Sequence, residues 1–505
     1  PKFSSLQIQA YEEGGFPSLV LPAKEKFAEH YGISGDYWKE HPDIREDYAP
    51  LLKGHLLDLA NHYHAEAQDA GNPEAFNKPA RWYSEYLETP PPSDEEARIN
   101  HLYAEALYSA QRYEEAITEF ERTAYQYEDY AEADEAAYFA LVAYQSRLEQ
   151  MPGETDEEQK QKQGVRQARI NSGLKFASEF PAHDKVPGVL RNTAEQQLAN
   201  DKLEAAIETA GMLVNRQPAP AEEYLVYGWR TIANGEVDQG RFKVAEFAYD
   251  KLLEYPSVTG EERQKALEQL ATSVYKQGET WEEQGELDRA ARAYARVGQV
   301  YPDADVRKNA DFDAATLYLK QEEYERAIPI LESFRQRYPD DELMETVPDK
   351  LAVAYEETGN YSAAADELLV IANRYGEEDR ELARQAHWRA AEMQERANDP
   401  RGSIELYRSY VREYREPWDF RSEAQYKLVQ LYDELGEEQN KRKWQRELVT
   451  TYEQAGSEAS DRVAYLAAQA AFNLAEPRYA EFNSIKLTLP DRKSTRLNSS
   501  HRLRS

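Results

Sequence analysis

No cysteine occurs anywhere in the 505 residues. That excludes a disulfide framework, a thiolate metal site and a cysteine nucleophile. It fits either an oxidising envelope compartment or the cytosol. No apolar run approaches the ~18 residues of a membrane-spanning helix, and the most apolar early stretch, Ser18 to Ala23, is far too short. Basic residues are the minority, 61 Lys and Arg against 94 Asp and Glu, for a formal net charge of −33. Nucleic acid and anionic membrane surfaces, which need clustered Lys and Arg, are therefore not expected as partners. Catalytic signatures are missing too: no GxSxG, no phosphate loop ending in Lys-Ser/Thr, no HExxH and no calcium loop. His62 and His64 form the one close histidine pair. On a helix, residues i and i+2 point to different faces, so surface or interhelical packing is the expected role. Carboxylate pairs are too frequent for any to stand out as a general acid and base. The expectation is a protein that is not an enzyme and has no cofactor and no metal.

What the chain does have is a period. Leu287, Ala290, Tyr294 and Tyr301-Pro302 recur as Tyr324, Ala327, Leu331 and Tyr338-Pro339, and then as Tyr361, Ala364, Leu368 and Tyr375-Gly376. Each step is 37 residues. A fixed period of this size means a stacked helical repeat, in which each unit packs only on its neighbours. Weaker copies lie at Tyr113, Ala116 and Phe120, at Leu203, Ala206 and Ala210, at Phe242, Ala245 and Tyr249, and at Ser403 and Tyr407. The alanines sit where the second helix of a pair must approach the first closely, and a larger side chain there would cost ~1–3 kcal/mol. Gly359 suits the turn between the two helices. The 41% hydrophobic content and 36 periodically placed Tyr argue for a folded chain despite the charge.

Residues 1–50 lack the repeat and read as an N-terminal cap or the remnant of a preceding domain. Gly14 to Pro17 is a turn signal, Pro22 to Tyr31 a short helix, and Tyr37, Trp38 and Pro42 a loop packed by aromatics. A helical solenoid is expected over 51–490, with a polar insertion near 151–167 (MPGETDEEQKQKQGVRQ) that is a solvated loop or a polar helix start. No strand pattern is present. Ala464 to Leu474 reads as an Ala-rich helix. Asp491 to His501, DRKSTRLNSSH, resembles a translated sequencing adapter. Residues 491–505 are accordingly expected to be a non-native tail. Five Lys/Arg and one Asp make that tail +4, so the rest of the chain stands at −37.

Small residues in the first helix, Ala at the head of the second and a closing Pro resemble the tetratricopeptide repeat. The resemblance covers roughly 51–475 and is strongest over 97–130 and 226–417. It implies an all-α fold, a right-handed superhelical solenoid of antiparallel helix pairs. The Tyr-Pro ending is similar to the bacterial cell-envelope subgroup of outer-membrane assembly lipoproteins and cell-division coordinators. This implies a non-catalytic protein–protein interaction scaffold in the bacterial periplasm or cell envelope. Two alternatives stand beside it: the binding arm of a larger envelope enzyme of polysaccharide or peptidoglycan processing, and a cytosolic adaptor.

In that family a few fixed positions of the first helix line a concave groove. Carried onto this chain they are Tyr275, Glu279, Glu282 and Glu283; Phe312, Thr316, Leu319 and Lys320; Asp349, Val353, Glu356 and Glu357; and Trp388, Glu392, Glu395 and Arg396. Tyr275, Phe312 and Trp388 fall at the same position of their repeats, with acids around them. Such a groove suits a protein or peptide segment bearing Lys or Arg. The alternative for these rings is packing against a neighbouring helix.

Overall fold

A computed structural model describes residues 1–33, 35–376 and 378–486. The chain divides into two compact units, Pro1–Ala266 and Leu267–Ser505. The first opens with α1 (Lys2–Glu13), α2 (Pro17–Tyr31), the one-turn α3 (Tyr37–Glu40), α4 (Arg45–Ala70) and α5 (Asn77–Glu88). Hairpins follow: α6 (Glu96–Ser109) with α7 (Tyr113–Gln126), α8 (Ala133–Gln150) with α9 (Asp156–Glu179), α10 (Val186–Ala199) with α11 (Leu203–Val214), and α12 (Glu222–Asp238) with α13 (Phe242–Leu253). The boundary falls inside α14 (Gly260–Glu283), which pairs with α15 (Leu287–Val300). The second unit continues with α16 (Arg307–Lys320) and α17 (Tyr324–Arg337), α18 (Val347–Glu357) and α19 (Tyr361–Tyr375), α20 (Arg380–Arg396) and α21 (Pro400–Glu413), α22 (Trp418–Glu434) and α23 (Glu438–Ala455), and α24 (Asp461–Ser484). Among the described residues there is no strand. The fold is all-α and of the tetratricopeptide type.

In each hairpin the first helix is A and the second is B. The periodic small residue of helix B is fully buried at Ala116, Ala206, Ala245, Ala290, Ala327, Ala364 and Ser403. Four residues on, and so on the same helix face, Phe120, Tyr249, Tyr294, Leu331, Leu368 and Tyr407 are buried as well. Each large side chain removed from water contributes roughly 1.5–3 kcal/mol. Helix A makes room in turn. A Cβ on Gly278 of α14 would lie 2.4 Å from the Tyr294 ring.

The A-to-B turns share a device that the apolar pattern does not reveal. One residue of each adopts a left-handed backbone: Gln111, Asp201, Gly240, Gly285, Glu322, Gly359, Asn398 and Gly436, all with φ between 56° and 78°. The N–H of the next residue then returns to the last turn of helix A. Glu323 N–H reaches the Tyr318 carbonyl and Asn360 N–H the Tyr355 carbonyl, both at 2.8 Å. These bonds satisfy carbonyls that a helix end would otherwise orphan. The α8–α9 hairpin has no positive-φ residue in its turn.

One stretch differs from the sequence expectation, and for a second the structure decides between two alternatives. The first 50 residues are more helical than a cap of turns and loops. Residues 2–13 form a helix that the sequence did not suggest, α2 starts at Pro17 rather than Pro22, and α4 runs through residue 50. The aromatic packing is present, with the Trp38 indole donating to the Tyr31 carbonyl at 2.6 Å. For the polar stretch 151–167, expected as a solvated loop or a polar helix start, the helix start is what is observed: from Asp156 on it belongs to α9. Its Glu, Gln and Lys are strong helix formers, and Thr155 and Glu158 close a reciprocal capping box at its head. Residues 491–505 lie outside the described residues.

Candidate functional site

The residues expected to line a groove sit on the A helices α14, α16, α18 and α20 of the second unit. The three rings lie half-buried on their own repeats. Tyr275 packs 5.1 Å from the Tyr294 ring. Phe312 packs 5.8 Å from Phe334, and the Lys350 ammonium stands 5.1 Å above its centroid. Trp388 meets Tyr407, Tyr410 and Phe420 at 5.5, 5.4 and 5.8 Å. All three rings pack against neighbouring helices and present only part of their surface.

The acids divide into two groups. Some are rungs between successive A helices. Glu356 of α18 holds both Arg389 and Arg396 of α20, the latter at 2.6 Å. Glu395 of α20 holds Lys427 of α22 at 2.9 Å and accepts from the Tyr407 hydroxyl. Glu423 of α22 holds Arg462 of α24 at 2.6 Å. Tyr275 of α14 donates to Asp313 Oδ2 of α16 at 2.9 Å. Rungs of this kind tie repeats together and use up charge that the sequence reading had assigned to a ligand.

The second group is open. Glu282 is exposed and accepts from the Tyr294 hydroxyl at 2.9 Å. Glu279 has Lys276 beside it at 2.5 Å. Together with Asp313, the acceptor in the Tyr275 rung, they gather around the rings of Tyr275 and Tyr294. Burial raises the Asp313 pKa, and the charges of Glu282 and Glu279 raise it further. Burial first, and then these carboxylates, also raise the hydroxyl pKa of Tyr275 and Tyr294. A cation placed here would relieve that repulsion. Asp349, Glu357 and Lys320 are exposed, as is Val353, while Glu392 is half-buried. The hydroxyl of Thr316 is buried and has no hydrogen-bond partner among the described residues. The sequence reading missed Asp313, Arg389 and Lys427. Their signal was available in principle, as residues facing each other roughly one repeat apart.

Two histidine settings bear on chemistry. His64 is buried, with Nδ1 3.2 Å from the Tyr83 hydroxyl, whereas His62 is exposed near Glu66. His387 lies between Ser409 Oγ, 2.8 Å from Nε2, and Glu413, 3.8 Å from Nδ1. This has the order of a nucleophile, base and acid. However, the Ser409 hydroxyl donates to the Leu406 carbonyl at 2.9 Å, so its one proton points away from the imidazole. Ser409 also sits mid-helix in α21, where backbone N–H groups are committed to the helix and offer no oxyanion site. Among the described residues no group of three or more His, Asp or Glu could hold a metal ion, and no helix is long and apolar enough to cross a membrane.

Residues 272–304 and 309–341 match the tetratricopeptide-repeat family model. These repeats span α14–α15 and α16–α17, where Glu279, Glu282 and Asp313 lie. No curated protein sequence matches the chain. Among solved structures, the TPR2AB domain–pHSP90 complex of yeast Sti1 is 16% identical, with 60% of this chain and 99% of that one covered and a TM-score of 0.28. Yeast Tom70 is 12% identical over 91% of this chain and 97% of its own, with a TM-score of 0.21. A tetratricopeptide repeat protein from Parabacteroides merdae is 13% identical over 54% and 92%, also with a TM-score of 0.21. Likeness at this level carries no argument about partners.

Proposed function

We propose that the chain is a protein–protein interaction scaffold of the bacterial cell envelope, and that the A-helix side of residues 267–486 captures partner segments bearing Lys or Arg. The observation that carries the reading is the acid group on the two matched repeats. Glu279, Glu282 and Asp313 crowd two tyrosine rings, and Lys276 is the cation paired there. The rungs at Glu356 and Glu395 hold the following helices in register, so that the face is preorganised for an extended or helical segment. Trp388 and Phe312 serve this face as packed supports, with part of each ring left to touch a partner. The envelope setting draws its support from the Tyr-Pro repeat endings.

The test is an array of otherwise identical peptides carrying Lys/Arg, neutral or Asp/Glu positions, probed with the whole chain. Binding confined to the basic set, weakened by salt and by Glu279→Gln with Glu282→Gln, supports the reading. Equal binding of the acidic set, or indifference to those substitutions, contradicts it. Fractionation of cells carrying the gene tests the location, and recovery only in the cytosol would contradict the envelope setting.

A further inference from the structure

The first unit holds a feature at odds with the chain's charge. Helix α9 has 24 residues, against 12 to 14 for α7, α11 and α13. Its added turns carry Lys162, Arg166 and Arg169, spaced four and three residues apart and so on one side of the helix. These three line a cleft of about 480 Å³ against α8 and α10, in which Glu149 is the one acid among the described residues. The lining is thus two charges positive in a chain that is −33 overall.

The cations there are poorly satisfied. Arg169 is half-buried, donates to the Gln145 side-chain oxygen and has no carboxylate at ion-pair distance among the described residues. Glu149 is engaged instead by the Gln145 amide at 2.6 Å. Burial depresses the Arg169 pKa in spite of Glu149, the direction expected of a guanidinium short of counter-charge. Arg166 makes no hydrogen bond and no ion pair among the described residues. Lys162 is held at the rim by the Met151 carbonyl, 3.1 Å away. Gln196 completes the cleft, with its side-chain oxygen buried and without a hydrogen-bond partner among the described residues. Turned about its amide, it would present N–H donors to the same space.

Beside the charges lies a second cavity, apolar on one side and polar on the other. Gln145, Arg169 and Gln196 are shared with this cavity of about 180 Å³, whose apolar side is Tyr138, Leu141, Val142 and Val189 and whose polar side adds Asn192 and Thr193. A cavity of about 150 Å³ holds a benzene ring. The inner space therefore accepts a compact apolar body, while the outer space accepts an anion.

We propose that the cleft between α8, α9 and α10 binds a carboxylate attached to a compact apolar group, with Arg166 and Arg169 taking the charge and the inner pocket taking the apolar body. A free aryl or branched-chain acid and the C-terminal residue of a peptide share this chemistry. The proposal uses none of the residues of the acidic face, so the two succeed or fail separately.

The experiment is calorimetric titration of the whole chain with benzoate, N-acetyl-leucine, N-acetyl-leucinamide, inorganic phosphate and a short acetylated peptide ending in leucine. The acids are expected to bind and the amide is not. Arg166→Met and Arg169→Met should each weaken binding about tenfold or more, the loss of one charge-assisted hydrogen bond. Val142→Phe, which fills the inner pocket and keeps every charge, should weaken it as well. Should Arg169→Met unfold, the half-exposed Arg166 decides. Tighter binding of the peptide than of N-acetyl-leucine identifies a chain terminus as the source, and exclusion of the peptide identifies a free acid. The proposal is overturned if neither acid binds at about 10 mM, if acid and amide bind alike, if phosphate binds as tightly as the acids, or if Arg166→Met changes nothing.

Discussion

The hairpins α18–α19 and α8–α9 follow one plan and leave different things open. In the second unit, α18 and α19 have 11 and 15 residues and meet at Gly359, whose φ of +77° closes the turn. In the first, α8 and α9 have 18 and 24 residues and are joined by five residues, with a capping box in place of the left-handed turn. The regular hairpin spends its charge on rungs, as Glu356 shows with Arg389 and Arg396. The long one overhangs its neighbours, and its cations Arg166 and Arg169 face a cleft rather than a rung. In a repeat protein, departures from the period are where a surface is free to specialise.

The largest way to break the regular side of this comparison is to remove a ring from the A–B contact. Tyr294→Ala empties a site that is 1% exposed and should cost about 3–5 kcal/mol. Denaturant unfolding should show the loss in the transition of residues 267–486, with the first unit less affected. The ring's hydroxyl partner Glu282 gives an internal control, since Glu282→Gln keeps the packing and should cost far less.

The next effect separates the units by pH. His55 in α4 is buried against Phe27, and burial together with the nearby Lys24 charge lowers its pKa to about 4 from 6.5. The folded state therefore favours the neutral ring. Above pH 6.5 neither state takes up the proton and the stability is fully present. As pH falls from 6.5 toward 4 the unfolded chain binds the proton first, and stability is lost, on the order of 3 kcal/mol in all. His55→Gln should remove this part of the acid sensitivity when melting of the two proteins is compared at pH 7 and pH 4.5. An identical loss in both would contradict the assignment.

The shared turn gives a smaller pair of opposite signs. Glu322 and Gly359 occupy the same left-handed position of successive repeats. Glu322→Gly should stabilise the second unit by up to about 1 kcal/mol, and Gly359→Ala should destabilise it by a similar amount. Smallest of all, Glu356→Gln weakens a rung whose arginines are about half exposed, although Glu356 itself is 19% exposed. It should cost under ~1 kcal/mol, and less in high salt.

The fold was legible because its determinants repeat. Ala290, Ala327 and Ala364 recur at one spacing and all prove fully buried. The turns were only partly legible, since Gly285 and Gly359 mark the left-handed position but Gln111 and Glu322 occupy it without glycine. Helix α9 was legible only as one of two alternatives, because a polar stretch with few apolar residues suits a loop as well as a helix start until the capping box decides. The candidate face was harder still. Position in the repeat placed Tyr275, Phe312 and Trp388 on equivalent helices, but whether an acid is free depends on residues 32 to 40 positions away, as with Glu395 and Lys427 or Glu356 and Arg396. No local pattern encodes that pairing.

The account stands or falls on whether the acidic face of α14 and α16 takes a cation from a partner. The direct measurement is hydrogen exchange of the whole chain with and without a Lys/Arg-bearing peptide, repeated on the double variant Glu279→Gln with Glu282→Gln. The account predicts added protection over residues 272–320, lost in the variant while the melting temperature holds. Protection elsewhere, or protection unchanged in the variant, would contradict it.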